Sequence, residues 1–128
     1  MSGTILVVED EPGVRDVAMQ MLKFSGFRVL EAIDAKSGLA MFNQHPEIDL
    51  VFTDVIMPGG ISGIEMAKEI LKIKPQALIL LATGYEAKAE ALKDTASKSE
   101  NIVTVLKPYD INEIPDLITS MIKNTPKD

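Results

Sequence analysis

The chain has 128 residues, 46% hydrophobic and 25% charged, the composition of one folded domain able to bury an ordinary core and not of a disordered tail. Its 13 basic residues against 19 acidic ones leave a formal charge of -6, which argues against nucleic acid or an anionic membrane as partner and leaves room for a cation. With no cysteine and a single histidine, disulfides, thiolate zinc sites and thiol catalysis are excluded, and His45 in QHPEID reads as a solvated loop residue.

The opening MSGTILVVEDE carries no basic leader, and its apolar run stops at acids after a few residues. That pattern is neither a signal peptide nor a membrane span, so the expected location is cytoplasmic. TILVVE is a short Val/Ile/Leu run of the kind that forms a buried parallel strand. Residues 12 to 25 follow as a helix, with Val14, Val17, Ala18, Met21 and Leu22 forming its buried stripe. Pro12 suits its first turn and Gly26 its stop. On the same wheel Met19 falls on the polar side with Arg15 and Lys23, where it could meet a kinase helix bundle.

RVLEAI alternates more and reads as an edge strand, followed by a helix over 35 to 45. DLVFTD, ALILLAT and IVTVLK are three further buried strands. Helices are expected over 63 to 74, about 86 to 98, and 112 to 123, the last capped by Asn112 with Pro115 in its first turn. Five repeats of strand then helix build an open parallel α/β sheet with helices on both faces, because each crossover is right-handed. No linker interrupts the pattern, so one domain over 1–128, with a core of about 4–123, is expected.

Ligands of such sheets bind outside the carboxyl ends of the strands. Those ends carry Glu9, Asp10 and Glu11 after the first strand, Asp54 after the third, Thr83-Gly84 after the fourth and Lys107-Pro108 after the fifth. Glu11 alone reads as a first-turn helix charge. Taken together the others place three acids, a hydroxyl and a lysine at one mouth. VFTDVIMPGG therefore ends a buried strand on a carboxylate and opens the chain with proline and two glycines.

Glu9-Asp10 in VVEDE, Asp54 in DVIMP, Thr83 in ATG and Lys107 in KPY occur in this order on five strand-helix units. In these elements the chain resembles the receiver domain of two-component response regulators over roughly residues 4 to 123, a family that includes a chemotaxis regulator. The resemblance implies a flavodoxin-like doubly wound sheet of order 2-1-3-4-5. It further implies that Asp54 accepts a phosphoryl group from a sensor histidine kinase or a histidine phosphotransfer domain, and that Mg2+ is the cofactor. Asp10 and Asp54 would ligate the ion directly, Glu9 through water, and Ile56 by its backbone carbonyl. Lys107, Thr83 and the backbone N–H groups after Asp54 and Thr83 would hold the phosphoryl oxygens. Such a domain is a regulatory switch that catalyses only its own phosphotransfer and autodephosphorylation, and it passes its state to a downstream protein.

Two departures from the common pattern stand out. MPGGISG is one residue longer between Pro58 and the glycine of the third helix, a variant associated with sensor-kinase and hybrid-kinase receivers. Thr104 stands where the family often has an aromatic switch residue, so the signal is expected to leave through Thr83 and the segment around Glu86 to Leu92. Competing readings are a receiver-like interaction module that never takes phosphate, and an aspartate-nucleophile phosphohydrolase, which usually has a second acid where this chain has Ile56. A flavodoxin-type phosphate binder is disfavoured because EDEPG would repel the phosphate.

Overall fold

All five apolar runs become strands of one parallel sheet in the computed structural model, which describes residues 3–57, 61–84 and 101–123. In chain order the elements are β1 (Thr4–Val8), α1 (Pro12–Phe24), β2 (Arg28–Ala32), α2 (Ala35–Gln44), β3 (Leu50–Asp54), α3 (Gly63–Ile73), β4 (Leu78–Thr83) and β5 (Ile102–Leu106). A 3-10 turn at Ile111–Glu113 then leads into α4 (Ile114–Lys123). The helix expected at about 86 to 98 lies outside the described residues. Sheet order is β2-β1-β3-β4-β5, as expected, so the winding reverses between β1 and β3.

The continuous apolar strands are explained by burial on two sides. Ile5, Val7, Leu50, Phe52, Leu78 and Leu80 face a core shared with α1 and α4. Leu6, Val8, Val51, Ile79 and Leu81 face the opposite core, built with α2 and α3. β2 and β5 are the two edges: the alternating sequence of β2 matches its mixed exposure, whereas β5, expected as a buried strand, is only half-buried beyond Ile102 because no strand flanks it on one side.

Helix ends follow local chemistry. Asp34 and Ser62 close capping boxes with Ser37 and Glu65 at the starts of α2 and α3. At the end of α1, Gly26 takes φ 101°, its N–H donates to Lys23 O, and Phe27 N–H donates to Leu22 O. Only glycine enters that left-handed region cheaply, and Phe27 is carried back into the core beside Leu22. Asn112 is not the cap of the last helix. It sits inside the 3-10 turn, and its N–H donates to the Asp110 carboxylate at 2.9 Å.

The buried face of α1 also differs from the expected stripe. Ala18 and Leu22 are buried as anticipated, but so is Met19, only 8% exposed, whereas Val14 and Val17 are 42% and 55% exposed. The reason is tertiary: α1 packs on the edge strand β2 as well as on β1, and covering both rotates the contact face toward Arg15 and Met19. Met19 is therefore no contact for a kinase helix. Met19→Lys is expected to cost about 2 kcal/mol of stability through lost apolar burial. Urea denaturation of the variant checks this, and a parent-like midpoint would contradict the burial.

Candidate functional site

Backbone register brings the four strand ends level. Val8 pairs with Thr53, Asp54 with Ala82, and Thr83 with Leu106. The last two pairings continue one step past the ladder, with Val55 N–H donating to Ala82 O at 3.1 Å and Lys107 N–H to Thr83 O at 2.8 Å. Glu9, Asp54, Thr83 and Lys107 are thereby set side by side without any side chain having to search for them.

Glu9, Asp10 and Asp54 each offer a carboxylate oxygen, and these oxygens lie within 4.8 Å of one another. Glu9 and Asp54 are both 8% exposed. Burial first, then hydrogen bonding with Asp54 and Asp10, pushes the Glu9 carboxyl up to about 8. Desolvation and like charge both disfavour ionisation of Glu9. The Lys107 ammonium closes on Asp54 Oδ1 and supplies the cation of the cluster. Hard oxygen donors at this spacing fit a small divalent cation, and Mg2+ matches that donor set.

Thr83 is buried at the same mouth, its hydroxyl donating to Gly84 O at 3.1 Å. Ile56 lies on the rim, 66% exposed, among the residues lining the cleft with Glu9, Asp10, Asp54 and Lys107. Of the backbone donors expected for a phosphoryl group, Val55 N–H is already committed to Ala82 O. Glu11 stands at the N-cap of α1 but makes no capping bond through its side chain.

Three residues at the site escaped the sequence reading. Tyr109 packs edge-on to Phe52 at 5.9 Å, and burial, then the charges of Asp54 and Glu9, push its phenol up to about 12. It stays neutral as one wall of the cleft. Arg15, expected on a polar face, donates to Glu9 O at 2.9 Å. Gly63 donates its N–H to Val55 O at 2.7 Å, and a methyl there would overlap the Asp54 carbonyl oxygen and lie 2.9 Å from its carbon. The sequence signal for Gly63 was its place at the start of a helix, where a glycine is a poor helix former kept for close approach.

A doubly wound α/β domain with an acidic, lysine-closed mouth at its switch point defines a phosphoryl-responsive class of signalling domain. The chain matches the response regulator receiver domain over residues 5–119 and belongs to that family. It is 31% identical to an uncharacterized transcriptional regulatory protein of Bacillus subtilis, YrkP, across 96% of this chain and 51% of that one. It therefore spans about half the length of that curated relative, and 31% of a cyclic di-GMP phosphodiesterase of Thermotoga maritima to which it is 28% identical over 94% of its own length. A response regulator receiver domain protein from Clostridium thermocellum superposes with TM-score 0.84 at 28% identity, covering 94% of each chain. The response regulator TrrA of Thermotoga maritima, solved in complex with Mg2+ and BeF, superposes with TM-score 0.78 at 33% identity over 93% of this chain and 98% of that one. Receiver domains are regulatory, and those of two-component systems act as phosphorylation-activated switches. Among the described residues no helix is long and apolar enough to cross a membrane.

Two expectations arise from this geometry. Gly63→Ala should cost about 3 kcal/mol, because the added methyl meets backbone and no rotamer change relieves it. A denaturation midpoint equal to the parent's would show that the helix start yields freely. The second concerns Glu9, whose folded value lies above its ordinary 4.5. The metal-free fold then has its full Glu9 contribution below about pH 4.5 and loses it as pH rises toward about 8, by at most about 1.4 kcal/mol per pH unit. Glu9→Gln removes that dependence, so its stability relative to the parent should grow between pH 5 and 8 in chelator, as followed by melts at each pH.

Proposed function

We propose that this chain works as a phosphorylation switch whose acceptor is Asp54, charged by a phosphohistidine of a sensor histidine kinase or of a histidine phosphotransfer domain. One observation carries the reading: the Asp54 carboxylate ends a buried strand with the Lys107 ammonium on one oxygen and two further carboxylates within 4.8 Å. Such a group is a nucleophile when its target's charge is neutralised. An Asp54 oxygen forms the new P–O bond in line as the P–N bond breaks, and the imidazole nitrogen leaves with the electron pair.

Glu9, Asp10, Asp54 and the Ile56 carbonyl are the groups that would hold Mg2+. The TrrA relative, solved with Mg2+ and BeF, supports that assignment. When bound, the ion neutralises charge on the phosphoryl oxygens. The remaining work falls to the chain. Lys107 follows the phosphoryl oxygens while staying near Asp54, and Thr83 turns its hydroxyl from Gly84 O to the new acceptor. That turn moves the end of β4, which supports Thr83 as the origin of the conformational signal. Ile56, apolar and exposed two residues after Asp54, offers no acid to activate a water. This separates the site from an aspartate-nucleophile phosphohydrolase.

The test is intact mass after incubation with a small phosphodonor, with and without Mg2+. The parent should gain one phosphoryl group only with the ion, and Asp54→Asn should gain none. Modification surviving in that variant would move the acceptor elsewhere. Mg2+ alone should raise stability by about 2.7 kcal/mol at 100 times its dissociation constant, and Asp10→Ala should remove most of that gain.

A further inference from the structure

Arg15 is an unusual residue for its place. It lies in the first turn of α1, where the helix dipole disfavours a cation, and that turn holds no acidic side chain to offset it. Its side chain is only 15% exposed, in a residue type that is seldom buried without a partner. The guanidinium has two anchors. Nη1 donates to the backbone carbonyl of Glu9 at 2.9 Å, and Nε lies 3.4 Å from Oε1 of Glu31 on the edge strand.

We infer that Arg15 is a positioning residue, which sets the aim of the acidic loop toward a divalent cation by clamping the Glu9–Asp10 peptide. The inference rests on the metal reading above. The carbonyl of Glu9 and the N–H of Asp10 belong to one planar unit, so its rotation swings the Asp10 side chain about its own Cα. The Glu9 N–H is tied to Ala32 O at 3.1 Å, which leaves the carbonyl side as the loop's free hinge. Arg15 holds that side, and Glu31, opposite Val7 in the β1–β2 register, holds Arg15. A guanidinium fork spans both anchors in a fixed plane, which a lysine ammonium does not.

Charge and positioning make opposite claims for this residue. As a charge, Arg15 repels a nearby cation, so removing it tightens Mg2+ binding and replacing it with lysine changes nothing. As a clamp, its loss lets three mutually repelling carboxylates splay and weakens binding in both cases.

The experiment is calorimetric titration of Mg2+ into the parent, Arg15→Gln and Arg15→Lys, each also melted in chelator. The dissociation constant is expected to rise about tenfold in Arg15→Gln, the scale of losing a ligand-orienting contact, and to rise also in Arg15→Lys. Affinity unchanged or tighter in Arg15→Gln overturns the inference while leaving the metal reading intact. If Arg15→Gln melts too low to titrate, Arg15→Lys decides, and parent-like affinity there overturns it. A parent that takes up no Mg2+ overturns the metal reading and this inference with it.

Discussion

Like charge held together at the ends of parallel strands is the constraint on which the rest of this domain depends. Glu9, Asp10 and Asp54 gather carboxylate oxygens within 4.8 Å, an arrangement that a flexible chain would relax by moving apart. The protein prevents that with backbone that cannot move. The strands leading to Glu9 and Asp54 are buried on both faces, and bonds past the ladders hold Glu9 to Ala32, Val55 to Ala82 and Lys107 to Thr83. The electrostatic cost is thus met by hydrophobic packing far larger in total, and it is stored where chemistry can use it.

The stored repulsion makes the site responsive. Lys107 offsets one negative charge, and proton uptake at Glu9 offsets another. A divalent cation relieves the cluster more fully, because its charge lies among all three oxygens at once. On the proposed reading, a phosphoryl group would bring a charge of roughly -1.5 to -2 to the same place. Each event changes which contacts are favourable for Lys107 and Thr83, whose backbones are joined by a 2.8 Å hydrogen bond. Two of the site's polar groups are therefore joined in one mechanical unit, the paired ends of β4 and β5.

Close approach sets the remaining geometry. α3 begins against the backbone of Asp54, with Gly63 allowing a contact that any side chain would block. α1 begins three residues beyond Glu9 and sends Arg15 back to that residue's carbonyl. Asp54 and the acidic loop are each braced by the helix nearest to them. Precision at the mouth comes from helix starts packed on strand ends, more than from the loop chemistry between them.

The strands, their parallel pairing and most helix bounds were legible in the chain, because a run buried on two faces must be continuously apolar and a right-handed crossover must be covered by a helix. Glu9, Asp10, Asp54, Thr83 and Lys107 could be singled out by the same logic, since strand ends are countable from the sequence. The roles of Met19 and Arg15 could not. Helical periodicity tells which residues share a face, but the direction of that face is set by the neighbours, and α1 leans onto β2 as well as β1. That tilt buries Met19, exposes Val14 and Val17, and turns Arg15 from a surface charge into a clamp on Glu9. The sequence by itself determined which groups stand at the strand ends, through local pattern and alternation. Only the tertiary structure decided how far Glu9 is desolvated and what braces Asp54 and the acidic loop, because those depend on distances between segments that no spacing along the chain encodes.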